Sequence, residues 1–139
     1  MPLPSSPAKA QGEEVEVRFL LKALTLGLAV AQPYGDNVPY DFLVDNGRRI
    51  LRVQVKSVTS FDLSSYRLST ARGGRRKSPY SPRQIDLLAA YIIPEDAWYL
   101  LPVKVVSPRT CLRLCPRIGR PGYRPRRLER YREAWHLLT

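Results

Sequence analysis

Two short apolar runs flanking Asn46-Gly47 constrain this chain more than any other stretch. On one side stands YDFLVD, from Tyr40 to Asp45, and on the other RRILRVQVKS, from Arg48 to Ser57. Both are rich in β-branched and apolar residues and alternate with period two, which predicts a β-hairpin. Asn-Gly suits a two-residue type I′ turn, whose central residues both need positive φ. That turn pairs Asp45 with Arg48, Phe42 with Leu51 and Asp41 with Arg52. Residues directly opposite, and residues two apart on one strand, share a face. Asp41, Arg52, Gln54 and Lys56 therefore point to one side, while Phe42, Val44, Leu51, Val53 and Val55 point to the core. An acid, an amide and a lysine converging on one face are hard to explain by packing alone. Carboxylate and amide oxygens suit a hard cation such as Mg²⁺, and a lysine suits a phosphate or an attacking water.

These residues resemble the signature of the PD-(D/E)XK nuclease superfamily: an Asp, a gap, then Glu, Asp or Gln, any residue, and Lys. Here it reads Asp41 and then Gln54-Val55-Lys56. The fuller pattern is similar to the branch of group I intron-encoded homing endonucleases: a helix Glu (Glu16), the loop Pro33-Tyr34-Gly35-Asp36-Asn37, Tyr40-Asp41, and Gln54-Val55-Lys56-Ser57. Ile85-Asp86 followed by Tyr91 also looks familiar from that branch. The similarity runs from about Gln11 to Val103 and thins beyond.

The resemblance implies a restriction-endonuclease-like α/β core, a central mixed sheet flanked by helices. It also implies Mg²⁺-dependent hydrolysis of DNA phosphodiesters, with Mn²⁺ able to stand in. Asp41 is then the main metal ligand, joined by the Gln54 amide oxygen and the Val55 carbonyl. Glu16 reaches a second metal directly or through water, and Lys56 orients water or offsets transition-state charge. Gln54 departs from the commoner acid. A neutral amide holds a cation weakly and cannot act as a base, so weak metal affinity is expected without DNA.

Glu16 also has a plain alternative, as one of three glutamates complementing a helix dipole. Asp36 and Asn37 either make their own turn or line a substrate groove.

Charge points the same way. The formal net charge is +11, from 23 basic and 12 acidic residues. Residues 1–65 balance at seven each, 66–83 hold six bases and no acid, and 104–139 hold ten bases and two acids. Clustering of this kind fits a polyanion, because each neutralised phosphate releases a counterion. The expected contacts to double-stranded DNA are Arg72, Arg75, Arg76, Lys77, Tyr80 and Arg83 in a basic loop, with Arg124, Arg126 and Arg127 in the tail. Two other classes fit the charge as well: a basic DNA-binding module with a decayed site, or an RNA-binding protein using the loop and tail alone.

The chain divides into a leader over 1–10, a core over 11–106 with a basic loop at 67–83, and an Arg-rich tail over 107–139. Helices are expected at Gln11–Leu28, from Ser81-Pro82 to about Ala90, and at Leu128–Leu138, where Tyr131, Ala134, Trp135 and Leu138 fall at helical spacing. Strands are expected at Leu28–Gln32, at Tyr91–Ile93 and at Ala97–Val106, with Pro102 marking an edge. Trp98 is expected in the core.

Cys111 and Cys115 lack the further ligands of a zinc site. They read as free thiols of a cytoplasmic protein, with a local disulfide as the alternative. His136 is expected on the surface. No run reaches the roughly 18 apolar residues of a membrane span. Cutting both strands of a duplex with one small domain usually takes two copies, so a dimer or tetramer is expected.

Overall fold

The computed structural model describes residues 6–73, 75–117 and 127–139. The first helix, α1, spans Pro7–Thr25. It starts earlier than the dipole argument placed it. Ser6 caps it, its Oγ accepting from the Lys9 N–H at 3.2 Å, and Pro7 takes the first turn, where its missing N–H costs nothing. Pro7 to Ala10 are therefore helical rather than part of a leader. Gly27, at φ +80°, ends the helix.

The main sheet has five strands: β1 (Ala29–Ala31), β2 (Phe42–Asp45), β3 (Ile50–Val58), β8 (Leu87–Ile92) and β9 (Ala97–Pro102). They lie in that spatial order, antiparallel except for the parallel pair β3–β8, so the sheet is mixed. Pro102 ends an edge strand. Between β3 and β8 the chain builds β4 (Phe61–Asp62), β5 (Ser65–Ser69), β6 (Ala71–Arg72) and β7 (Ser78–Pro79). β5 joins β4 and the later β10 (Cys111–Leu114) in a three-stranded sheet, and β6 pairs with β7.

One face of the main sheet packs on α1 and the chain end, through Val15, Phe19, Val44, Val53, Trp98 and Trp135. The other packs on the three-stranded sheet through Leu88, Ile92, Tyr99, Leu68 and Leu112. The sheet is thus buried on both sides, with Trp98 in the core as expected.

The hairpin forms with a different register. Asp45 pairs with Ile50, Val44 with Leu51, Leu43 with Arg52 and Phe42 with Val53. Each partner lies two residues beyond its expected one, and a shift of two preserves every side chain's face. Gly47 has φ +84° while Asn46 is not left-handed, so the type I′ turn at Asn46-Gly47 does not form. Asn46 instead folds its side chain into the turn. Its Oδ1 accepts from Arg48 N–H at 2.9 Å and Arg49 N–H at 3.0 Å, and its Nδ2 donates to the Leu138 carbonyl.

Three other expectations are corrected. Ser81 begins only one turn: Gln84 and Ile85 N–H return to its carbonyl, and the chain then becomes β8. Every residue of β8 is buried, which erases the alternation that marks a strand. The predicted strand Ala97–Val106 stops at Pro102, and Val103–Val106 forms a short helix, α2. The tail is likewise not one helix. It contributes β10 and then two 3₁₀ turns, Arg127–Tyr131 and Trp135–Leu137, broken at Glu133 with φ +50°. Glu133 pairs instead with the exposed edge of β9, donating its N–H to Trp98 O and accepting the Trp98 N–H. Ala134, Trp135 and Leu138 still dock in the core.

Candidate active site

Asp41 stands just before β2, where the register extended by one step sets it opposite Gln54 rather than Arg52. Its N–H continues the ladder to the Val53 carbonyl at 2.9 Å. Its carboxylate turns back onto β3 and accepts the Val55 N–H at 2.8 Å. The acid is therefore fixed by two bonds to the strand that carries Gln54 and Lys56.

Glu16, on α1, reaches this acid. The two carboxyl groups are in hydrogen-bonding contact. Burial first, and then the Asp41 charge, push the Glu16 carboxyl up to about 7. Burial also raises Asp41, against the Val55 N–H, the Glu16 bond and the Lys56 charge. The charge of Asp41 also reaches Lys56, whose ammonium is pulled below its ordinary value by burial and held up by that charge. All three side chains are half-buried and none is sealed under apolar packing.

Tyr80 is the unexpected member. It is 3 % exposed, so it is not free to stack on a nucleotide. Its ring lies beneath Lys56, with the ammonium 5.6 Å from the ring centroid. Burial pushes its hydroxyl up to about 12, and the Asp41 and Arg72 charges both reach it. Arg72, half-buried on β6, borders Lys56 as well. Tyrosine among basic residues signals exposure by composition, and only the β6–β7 hairpin shows why this one turns inward.

Gln54 and Val55 are turned toward each other. The Gln54 Nε2 donates to the Val55 carbonyl at 3.1 Å, so that carbonyl is engaged while the Gln54 amide oxygen is not. Arg52 is drawn away altogether. Asp86 accepts from its N–H at 2.8 Å and from its Nε and Nη2 at 3.0 Å each. Asp86 thus stitches the start of β8 to β3. Its side chain was expected on a helix and has this structural partner instead.

The remaining expected contacts are spread out. Arg75, Arg76, Lys77, Arg83 and Arg127 are exposed, and Asp36 and Asn37 are exposed in their loop. Arg124 and Arg126 lie outside the described residues. Cys111 and Cys115 are free, and His136 is exposed.

The donors around Asp41 are two carboxylates, an amide oxygen and a main-chain carbonyl. All are hard oxygen ligands, which fits a divalent cation such as Mg²⁺. Among the described residues no group of three or more His, Cys, Asp or Glu gathers at one point, so protein carboxylates alone do not complete such a site.

The model of the PD-(D/E)XK endonuclease family matches residues 7–138. The chain belongs to that family. Among solved structures, this PD-(D/E)XK endonuclease is similar to the bacterial homing endonuclease I-Ssp6803I, at 31% identity and a TM-score of 0.82, over 95% of this chain and 93% of that one. A Holliday junction resolvase, Hjc of the archaeal hyperthermophile Archaeoglobus fulgidus, aligns at 19% identity and a TM-score of 0.47, over 68% of this chain and 74% of its own. No curated protein matches the chain.

Proposed function

We propose that this PD-(D/E)XK endonuclease hydrolyses phosphodiester bonds of double-stranded DNA with Mg²⁺, or Mn²⁺ in its place. The observation that carries the reading is the contact between Glu16 and Asp41 beside Lys56. Two acids touching in a half-buried place repel unless a cation or proton lies between them. Asp41, Glu16, the Gln54 amide oxygen and the Val55 carbonyl would hold the cation. When bound, a divalent ion supplies Lewis-acid polarisation of the phosphate.

Lys56 then contributes what a fixed ammonium can: orienting the attacking water or balancing charge that grows on the phosphoryl oxygens. The Val55 N–H aims Asp41 and opposes the rise that burial causes. The Gln54 amide spends its nitrogen on the Val55 carbonyl and keeps its oxygen free for a cation. A neutral amide, with no group of three acids among the described residues, favours weak metal affinity until phosphate oxygens join the site. Likeness to a homing endonuclease supports duplex DNA as substrate, and so do the exposed cations of the 75–83 stretch.

Incubating supercoiled plasmid with protein and Mg²⁺ tests the reading. Metal-dependent nicking that falls about a hundredfold or more in Asp41→Ala and in Lys56→Ala is expected. The Gln54–Val55 bond favours one rival, a DNA-binding module that no longer cuts. Salt-sensitive binding with no cleavage of any DNA supports that rival.

A second copy of the chain forms part of the proposal, since one site faces one strand of a duplex. The exposed apolar side chains Val17, Leu21 and Leu24 of α1, at 63%, 66% and 53%, support that proposal. Cytoplasmic residence suits the two free thiols. No described helix is long and apolar enough to cross a membrane.

A further inference from the structure

Away from Asp41, a groove of about 740 Å³ opens between α2, the outer side of β10 and the turn Arg127–Tyr131. Lys104, Arg109, Arg113, Arg127 and Arg130 line it, with Tyr131, and among the described residues no acid does. Only Arg113 has an ionic partner among the described residues, Asp62. The Arg130 guanidinium lies over the Tyr131 ring at 5.9 Å. Its floor is apolar, through Val105, Leu112 and Leu128. Cations gathered in a concavity with a low-dielectric floor repel one another and focus a positive field outward. Such a surface is relieved by a ligand carrying several spaced negative charges. Only Arg127 among these residues was expected to touch DNA.

The groove is tied to the candidate active site by a short stretch of chain. Thr70 donates its N–H to the Thr110 carbonyl at 3.0 Å and its hydroxyl to the Arg109 carbonyl at 2.7 Å. Two residues on, about 7 Å along an extended chain, stands Arg72, which borders Lys56 and Tyr80. Positive charge thus steps from the Lys56 ammonium to Arg72 and on to Arg109 at the rim of the groove.

We propose that this groove is a second backbone-binding surface, taking the phosphates of duplex DNA that flanks the bond being cut. It rests on the reading of the protein as a DNA nuclease. The cations sit on three separate segments, so they meet successive phosphates along a strand rather than one compact anion. They fix the register of the duplex over Asp41 and carry no base information.

Lys104, Arg109 and Arg130 are exposed, so neutralising them leaves the core intact. The test compares wild type with the Lys104→Gln/Arg109→Gln/Arg130→Gln variant by fluorescence anisotropy, in Ca²⁺, with a melting curve as the folding control. Two duplexes of the same central sequence are used, of about 12 and about 40 base pairs, each over a range of salt. The variant is expected to lose about tenfold or more in affinity for the long duplex, with the salt slope reduced by roughly 2–3. Affinity for the short duplex changes less than about twofold. Equal losses on both lengths, or none on either, overturn the proposal. A structured RNA hairpin bound more tightly than either duplex, and released in the variant, overturns DNA as the occupant. Should wild type bind neither duplex, the nuclease reading falls and this surface's role with it, a result distinct from a loss confined to the variant.

Discussion

Glu16 and Asp41 touch, one extended from α1 and the other from the turn before β2, so that two layers of the fold meet at a pair of acids. No local rule brings them together. α1 is placed by Val15, Phe19 and Ala23, which are buried on the sheet, and that packing swings Glu16 to the open end of β2. The acid pair is therefore a consequence of core packing, and the proposed chemistry depends on the helix staying docked.

Tyr80 lies buried beneath the Lys56 ammonium. Ring and ammonium are 5.6 Å apart, and the ring is buried. Tyr80→Phe keeps the ring and is expected to retain kcat within about threefold, while Tyr80→Leu lets the ammonium wander and lowers kcat about tenfold. KM for plasmid stays close to wild type in both. Steady-state cleavage kinetics check this. A rise in KM with kcat unchanged would return Tyr80 to a DNA-contacting role.

Asp86 gives the protein a pH-dependent clasp. The hydrogen-bonded Arg52 guanidinium holds its carboxyl below the ordinary 3.8. An acid lowered by folding adds stability that is complete above its unfolded value and is lost as pH falls through the folded one. The pair is about a third exposed and partly screened, so Asp86→Asn is expected to cost about 1–2 kcal/mol near neutral pH. The difference from wild type should shrink below pH 3.8, as the wild-type clasp itself protonates. Urea melts across that range decide it; a constant difference at all pH values contradicts the charge account.

The primed turn that Asn46-Gly47 suggested occurs elsewhere. Leu63 and Ser64, joining β4 to β5, both have positive φ, at 45° and 67°. Leu63 is 85% exposed, so nothing in its packing repays the strain. Replacing the pair by Asn-Gly is expected to stabilise the fold by about 1 kcal/mol. Thermal unfolding that leaves Tm unchanged or lower would show the strain to be absent.

Leu21 tests the second copy. Leu21→Glu puts a charge in the middle of the outward stripe of α1 while leaving Val15, Phe19 and Ala23 in place. Sedimentation velocity is expected to show wild type as a dimer or tetramer and the variant as a monomer. A wild-type monomer at micromolar concentration contradicts the arrangement.

What the sequence showed depended on whether its signals were local. The hairpin's faces came through because the register slipped by two, so Asp41, Gln54 and Lys56 kept their relation although the turn was wrong. β8 was mistaken for a helix because LLAAYI is buried on both faces and shows no alternation. Tyr131, Ala134, Trp135 and Leu138 do fit a helix, yet the free edge of β9 captures Glu133 between them and breaks it. The basic groove was legible only in part. The charge of the 104–139 stretch stood in the sequence, but Lys104, Arg109 and Arg130 meet only after β10 has paired with β5.

In the proposed reaction one cation joins Asp41 to a phosphate of DNA. Crystals of the protein with duplex DNA and Mn²⁺, measured at the manganese absorption edge, test it most directly. An anomalous peak is expected between the Asp41 and Glu16 carboxylates, touching a backbone phosphate within reach of Lys56. DNA bound along the basic surface with no peak beside Asp41, or with manganese held elsewhere, would contradict it.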